Sequence, residues 1–120
     1  MKLRIKGNTL RMRLSEPEVN MLAEGKSVVD KTEFPSADLV YKIEPWEGNS
    51  ADFEEGMLRI GLNKDEINVW AETDQVSISM ESTSKSGNIL SILVEKDFKC
   101  LTVRPEDESE MYPNPNKHHC

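Results

Sequence analysis

The chain has 120 residues, enough for one domain of ordinary size, and 37% of them are apolar. Fifteen Lys and Arg residues stand against 22 Asp and Glu residues, which gives a formal net charge of −7. The longest apolar run, Ile89–Val94, is interrupted by Ser91 and is too short to span a bilayer, and two cysteines are too few for a disulfide scaffold. These numbers argue against a transmembrane protein, a collagen, a coiled coil and a disulfide-rich secreted domain.

The charge is unevenly distributed along the chain. Residues 1–14 contain five cations and no acid, so the remaining 106 residues carry a net charge of −12. Because an acidic body repels phosphates, we expect no general nucleic-acid binding. Residues 1–6 alternate between charged and apolar side chains and lack the apolar segment of a signal peptide, which predicts a cytoplasmic protein with reduced cysteines and no membrane partner.

A β-hairpin is the first predicted element. Charged or polar side chains alternate with apolar ones in Lys2–Lys6 and again in Thr9–Leu14. Gly7 and Asn8 lie between these segments and fit a two-residue turn. The hairpin is therefore predicted with a defined register.

A short helix and two strands are predicted after the hairpin. Ser15 and Glu18 form a capping box at the start of the helix, and Pro17 is tolerated in its first turn. The pattern then predicts strands at about Ser27–Phe34 and Leu39–Glu44.

The same series of elements is predicted a second time. When the chain is shifted by 48 residues, Leu10–Val28 aligns with Leu58–Val76 without a gap, and eight of the 19 positions are identical. In the second copy Glu55 and Gly56 form the turn and Asn63 begins the helix. Its predicted strands are residues 51–54, 57–62, about 75–82 and about 89–96. The pattern indicates an ancient duplication.

These elements predict an α+β fold. A ββαββ unit occurs twice, and we expect its eight strands to close, or nearly close, into one mainly antiparallel, barrel-like sheet with two short helices. Ile89–Val94 is apolar on both faces and is predicted to lie in a central strand. The domain is expected to cover residues 1–103, with repeats at about 2–45 and 50–97, followed by an acidic, proline-rich tail at 104–120.

The first hairpin carries the candidate binding site. A two-residue turn places Arg4 opposite Arg11 and collects all five cations on one face: Lys2, Arg4, Lys6, Arg11 and Arg13. The opposite face is predicted to be core and contains Leu3, Ile5, Leu10 and Met12. Like charges directly opposite each other destabilise a sheet, whereas the second hairpin places Asp52 opposite Arg59, where we expect a salt bridge.

Two interpretations of these five cations stay open. In the first, they form a solvated face that carboxylates from neighbouring strands balance; the candidates are Glu33, Glu44, Glu81 and Glu95. In the second, they bind a ligand that carries phosphate or carboxylate groups, for which arginines supply bidentate donors.

The order of elements resembles a known enzyme fold. Cut after its first strand, each unit becomes β-α-β-β-β, which is similar, in circularly permuted form, to the triphosphate tunnel (CYTH-like) enzymes. The resemblance implies a closed eight-stranded barrel whose polar bore binds polyphosphate and metal, and hence a metal-dependent phosphohydrolase. Those enzymes open with a Glu-x-Glu-x-Lys strand. This chain has Lys2, Arg4 and Lys6 at those places, so the metal-binding carboxylates are missing there.

A second resemblance extends over most of the chain. Residues 1–8, together with residues 93–101, 104–108 and 112–115, are similar to small uncharacterised bacterial proteins. The resemblance implies a bacterial domain of unknown function, and it carries no activity with it.

The C-terminal region contains residue types that bind metal. Cys100, His118, His119 and Cys120 have the donor atoms of a tetrahedral zinc site. Three of them are sequence neighbours, and adjacent residues rarely all reach one ion. The alternative is a small buried Cys100 and a chain end without metal.

Three classes of function follow from these patterns. The favoured one is a non-catalytic binding domain for a small anionic ligand or a protein partner at the five cations. The alternatives are a metal-dependent phosphohydrolase and a metal-stabilised structural or interaction protein. No nucleophile motif is present, so no catalytic residue is predicted, and zinc is the only candidate cofactor. Trp70 is predicted to be core, whereas Trp46 between the repeats is a candidate contact residue.

Overall fold

The computed structural model describes residues 1–99 of the chain. Its elements, in chain order, are β1 (Lys2–Lys6), β2 (Thr9–Leu14), α1 (Glu16–Ala23), β3 (Val28–Glu33), β4 (Asp38–Trp46), β5 (Ser50–Glu54), β6 (Met57–Asn63), α2 (Lys64–Glu72), β7 (Ser77–Thr83) and β8 (Ile89–Lys96). The α+β class, the eight strands and the two short helices are therefore confirmed for the described residues, and the order ββαββ occurs twice.

The strands form two four-stranded sheets instead of one. The first sheet has the order β1-β2-β8-β7 and the second the order β3-β4-β6-β5. The two central strands of each sheet are parallel, and each outer strand is antiparallel to its neighbour. The predicted barrel-like closure is wrong, because within residues 1–99 each sheet ends in two edge strands. The central position predicted for β8 is confirmed.

Each sheet combines hairpins from the two halves of the chain. Hairpin β1–β2 pairs with β7–β8, and hairpin β5–β6 pairs with β3–β4. The parallel central pairs have equivalent registers, since Leu10 lies opposite Ile92 and Leu58 lies opposite Tyr41. Because each sheet contains one hairpin from each half of the chain, the eight strands form two sheets with the same connectivity.

The strand pairing also corrects the end of the ungapped alignment. Val28 lies opposite Ile43 in the second sheet, and Ile78 lies opposite Val94 in the first. Val28 and Ile78 are both buried, whereas Val76, the residue aligned with Val28, is half exposed. Val28 therefore corresponds to Ile78, and the segment from Ala71 to Ile78 is two residues longer than the aligned segment from Ala23 to Val28.

Both helices begin at the predicted capping residues. The Ser15 backbone N–H donates to Glu18 Oε1 over 2.9 Å, and the Glu18 N–H donates to Ser15 Oγ over 3.4 Å, which completes the capping box of α1. In α2, Asn63 Oδ1 accepts hydrogen bonds from the N–H groups of Asp65 and Glu66 over 2.8 and 3.2 Å.

The Glu18 carboxylate also binds the start of the chain. The Met1 ammonium donates to Glu18 Oε2 over 2.8 Å. Burial alone raises the pKa of Glu18, but hydrogen bonds from the Met1 ammonium and from Ser15 outweigh it and lower the pKa below its ordinary value.

One hydrophobic core joins both sheets and both helices. Trp70 of α2 is fully buried, as predicted, and its Nε1–H donates to the backbone oxygen of Val76 over 2.9 Å. Leu10 and Met12 are buried and Leu3 is half-buried, as expected for the inner face of the hairpin. The prediction for Ile5 is wrong: it is 60% exposed, because it lies beside the turn on an edge strand. Neither described helix has the length and apolarity needed to cross a bilayer.

Candidate anion-binding face

Hairpin β1–β2 has the predicted register. Arg4 lies opposite Arg11, and Lys2 lies opposite Arg13. Because side chains alternate between the two faces of a strand, the cations project from the outer face of the first sheet. We call them the basic face: Lys2, Arg4, Lys6, Arg11 and Arg13. The three cations of the edge strand β1 are exposed and the two of β2 are half-buried.

One carboxylate of the central strand β8 lies between the two arginines of β2. Glu95 is the register partner of Arg13, whose Nε donates to Glu95 Oε1 over 2.6 Å. The Nε of Arg11 lies 3.6 Å from the same oxygen. The side chain of Glu95 is only 14% exposed. Its carboxylate contacts both guanidinium groups from the neighbouring strand β8.

Glu95 is one of the four carboxylates that the sequence offered as balancing groups. Glu33 and Glu44 belong to the second sheet. Glu81 lies on β7, at the opposite edge of the first sheet from β1, where it pairs with Ser91. Only Glu95 of these four is therefore next to the basic face.

Asp97 is a further neighbour that the sequence analysis missed. Its Oδ2 lies 2.9 Å from the Lys2 Nζ, and its backbone N–H donates to the Leu14 oxygen over 2.9 Å. The signal is the alternation of β8, which places Asp97 on the same side as Glu95 when it is extended by one residue beyond Lys96. The chain thus leaves the sheet beside the basic face.

The middle of the basic face lies in a row without an acidic residue. Arg4, Arg11, Leu93 and Ser79 are successive register partners across the four strands. Arg4 and Arg11 are thus directly opposed in a row whose other two members carry no charge.

The equivalent face of the second sheet has a different charge pattern. Asp52 lies opposite Arg59, as predicted, and the row continues with Lys42 and Val29. The expected Asp52–Arg59 salt bridge is not among the ion pairs of residues 1–99. Asp52 Oδ1 accepts a hydrogen bond from the Phe53 N–H over 2.9 Å instead, and Arg59 Nη2 lies 3.5 Å from the Met57 sulfur.

A shallow depression marks this second face. It is lined by Asp52, Glu54, Glu55, Met57 and Arg59. Three carboxylates and one guanidinium line it, so hairpin β5–β6 presents an acidic surface where hairpin β1–β2 presents a basic one.

Arg13 also has a different counterpart in the second sheet. The residue at the equivalent position is Gly61, where a Cβ atom would lie 2.7 Å from Ser50 Oγ and 3.2 Å from Trp46 Cβ. Trp46 is the last residue of β4, not part of a linker, and it is 53% exposed. The second sheet therefore has an exposed indole beside a glycine where the first has an arginine bound to Glu95.

The predicted metal ligands belong to the C-terminal part of the chain. Cys100, His118, His119 and Cys120, like the tail at 104–120, lie outside the described residues. Within residues 1–99, no three His, Cys, Asp or Glu side chains form a group that could hold a metal ion.

Comparison with known proteins identifies the family but no activity. The model of a family of unknown function, DUF7009, matches residues 1–116, so the chain belongs to this family. No curated protein and no solved structure matches the chain significantly. The predicted membership of an uncharacterised family is confirmed, whereas the likeness to triphosphate tunnel enzymes is not, and a bacterial origin stays a prediction.

Proposed function

We propose that this member of the DUF7009 family is a non-catalytic binding domain whose basic face takes an anionic ligand or partner that bears phosphate or carboxylate groups. The observation that carries the proposal is the direct opposition of Arg4 and Arg11 in a row without an acid. Opposed like charges cost stability in a sheet, and an anion that contacts both removes that cost.

The geometry of the arginines suits such a ligand. Arg11 and Arg13 lie on a strand inside the sheet, and Glu95 fixes their guanidinium groups through Nε. A guanidinium held in one orientation binds the oxygens of phosphate or carboxylate with less loss of side-chain entropy. The exposed cations of β1 lie beside them and face the solvent.

The competing interpretation is that neighbouring carboxylates already balance the face. Glu95 and Asp97 do contact Arg11, Arg13 and Lys2. The five cations nevertheless outnumber these two carboxylates, and both lie toward the end of the hairpin that is remote from the turn. The net positive charge of the described part of this face favours an additional anion.

A thermal-shift series tests the proposal. Phosphate, pyrophosphate and triphosphate are added to the wild-type protein, with chloride at matched ionic strength as the control. We expect the melting temperature to rise, most for triphosphate, because a ligand that binds only the folded state stabilises it by mass action.

A matched pair of variants locates the effect. Arg11 and Arg59 occupy equivalent register positions in the two hairpins. Arg11→Gln is expected to lose most of the anion-dependent shift, whereas Arg59→Gln is expected to keep it. The proposal is wrong if the wild type shows no anion-dependent shift, or if the two variants lose it equally.

We also infer a duplication and a cytoplasmic location. The identities between the halves and the equal connectivity of the two sheets support the duplication. The small number of cysteines supports the cytoplasm. The phosphohydrolase and the metal-stabilised protein stay untested predictions.

A further inference from the structure

β1 and β5 are equivalent edge strands with opposite charge. Each has five residues and begins the first hairpin of its half of the chain, and in the described part of the chain each lies at the edge of its sheet. In both strands only the second residue, Leu3 or Ala51, is half-buried, and the other four are exposed. β1 projects Lys2, Arg4 and Lys6 from its outer face, whereas β5 projects Ser50, Asp52 and Glu54.

We propose that the carboxylate-bearing partner of the basic face is strand β5 of a second copy of this chain, which adds antiparallel to β1. The inference rests on the proposed function and names the partner of the same site. An edge strand presents unpaired backbone groups that another strand can bind, and alternate side chains then decide which strand fits.

The two strands match in length and register. In an antiparallel pairing centred on Arg4 and Asp52, these two residues face each other and Lys2 faces Glu54. The same register brings Leu3 against Phe53, so charged residues meet on one face and apolar residues on the other. Phe53 is 59% exposed in the single chain and gains apolar contacts in this arrangement. Its N–H exchanges the Asp52 carboxylate for a backbone oxygen of β1, which releases that carboxylate to face Arg4.

Pairing between like strands is disfavoured by the same charges. Two β1 strands paired about Arg4 bring arginine against arginine, and two β5 strands paired about Asp52 bring carboxylate against carboxylate. Charged residues on edge strands commonly protect a sheet from unwanted pairing. Here the charges disfavour pairing of β1 with β1 and of β5 with β5, and they favour pairing of β1 with β5.

The contact is expected to be weak. Two five-residue strands bury much less surface than a standard stable interface, and the net charge of −7 opposes association of whole chains. Each copy contains one β1 and one β5, so two copies related by a two-fold axis that satisfies both contacts form a closed dimer, and any other geometry gives longer assemblies.

Sedimentation velocity tests the proposal on the full chain at about 50 mM salt, with protein from about 10 μM to about 1 mM, the range of weak contacts. We expect the average mass of the wild type to rise above that of one chain as concentration increases. R4D and D52R each replace an attractive charge pair by a repulsive one, so each is expected to weaken association about tenfold.

The decisive sample is an equimolar mixture of R4D and D52R. The new carboxylate on β1 of one variant then faces the new guanidinium on β5 of the other, and the remaining Arg and Asp of the two chains also match. The mixture is therefore expected to regain the association that each variant lacks alone. K85D and D74R, at exposed loop positions, change the net charge by the same amounts and are expected to associate like the wild type.

Each other outcome overturns the inference in a distinguishable way. A wild type that stays a single chain while triphosphate still raises its melting temperature leaves the proposed function intact and removes the second copy as partner. Association that survives in R4D or D52R, or that the mixture does not restore, shows that β1 and β5 are not the contact. Association that appears only when the four acids of residues 106–110 are made neutral also overturns the inference, because the wild type is then a single chain and the change itself reduces the repulsion between chains.

Discussion

The outer faces of hairpins β1–β2 and β5–β6 have the same backbone register and different charge patterns. Arg4 and Arg11 of the first hairpin correspond to Asp52 and Arg59 of the second. On the inner faces, by contrast, the equivalent residues Met12 and Ile60, and likewise Leu14 and Leu62, are all fully buried. The comparison teaches that the inner face determines the strand register, so that the outer face is free to diverge.

The largest effect is expected where the inner faces meet the helices. Leu22 and Trp70 are aligned positions of α1 and α2, and both are buried. Trp70→Ala is expected to lower the free energy of unfolding by about 3–5 kcal/mol and Leu22→Ala by about 2–5 kcal/mol, because each leaves a cavity. Urea denaturation measures both, with the exposed Val69→Ala as control. Losses below about 1 kcal/mol contradict equal roles of the two helices in one core.

A smaller difference in stability is expected between substitutions at the N-terminus of α1 and at the N-terminus of α2. The pKa of Glu18 is lowered in the folded state, because hydrogen bonds from the Met1 ammonium and Ser15 outweigh the effect of burial. Its ionised form therefore stabilises the fold above the ordinary pKa near 4.5, and this contribution disappears as the pH falls through the lower folded-state value.

Glu18→Gln is accordingly expected to cost about 1 kcal/mol near neutral pH and almost nothing in strong acid. Glu66→Gln is the matched control, since the Glu66 carboxylate accepts a hydrogen bond from the neutral Asn49 amide over 3.2 Å. Denaturation of both variants across pH measures the difference. A loss in Glu18→Gln that is independent of pH contradicts the ion pair as its source.

The smallest effects concern the outer faces themselves. Arg4→Asp gives the first hairpin the charge pattern of the second, and Asp52→Arg does the reverse. We expect Arg4→Asp to stabilise the ligand-free protein by about 0.5–1 kcal/mol and Asp52→Arg to destabilise it by a similar amount, the scale of a cross-strand charge pair. Denaturation at low and high salt measures both changes, and salt should reduce them. Destabilisation by Arg4→Asp shows that the basic face is balanced within the chain.

Much of the local structure could be predicted from the sequence. Alternation and the Gly7-Asn8 turn predicted the register of β1–β2 and hence the shared face of Arg4 and Arg11. The capping pattern placed α1, and helical periodicity placed Trp70 in the core. These features depend on residues close together in the chain, which is why a single sequence reveals them.

The remainder depends on contacts between distant segments. Nothing local specifies that β2 pairs with β8 and β4 with β6, so the sequence analysis expected one barrel-like sheet where two sheets form. For the same reason, the sequence analysis offered Glu95 only as one of four candidate balancing carboxylates and did not consider Asp97. The exposure of Ile5 likewise follows from the edge position of β1, which the pattern of one strand does not show.

The most direct test of the account is an amide NMR titration of the wild-type chain with triphosphate, with sodium chloride at matched ionic strength as control. The basic face predicts saturable shifts in resonances of hairpin β1–β2, from Lys2 to Arg13, and no comparable shifts in the equivalent hairpin β5–β6. Equal shifts in both hairpins, or none in β1–β2 at high triphosphate concentration, contradict the claim that this face binds anions.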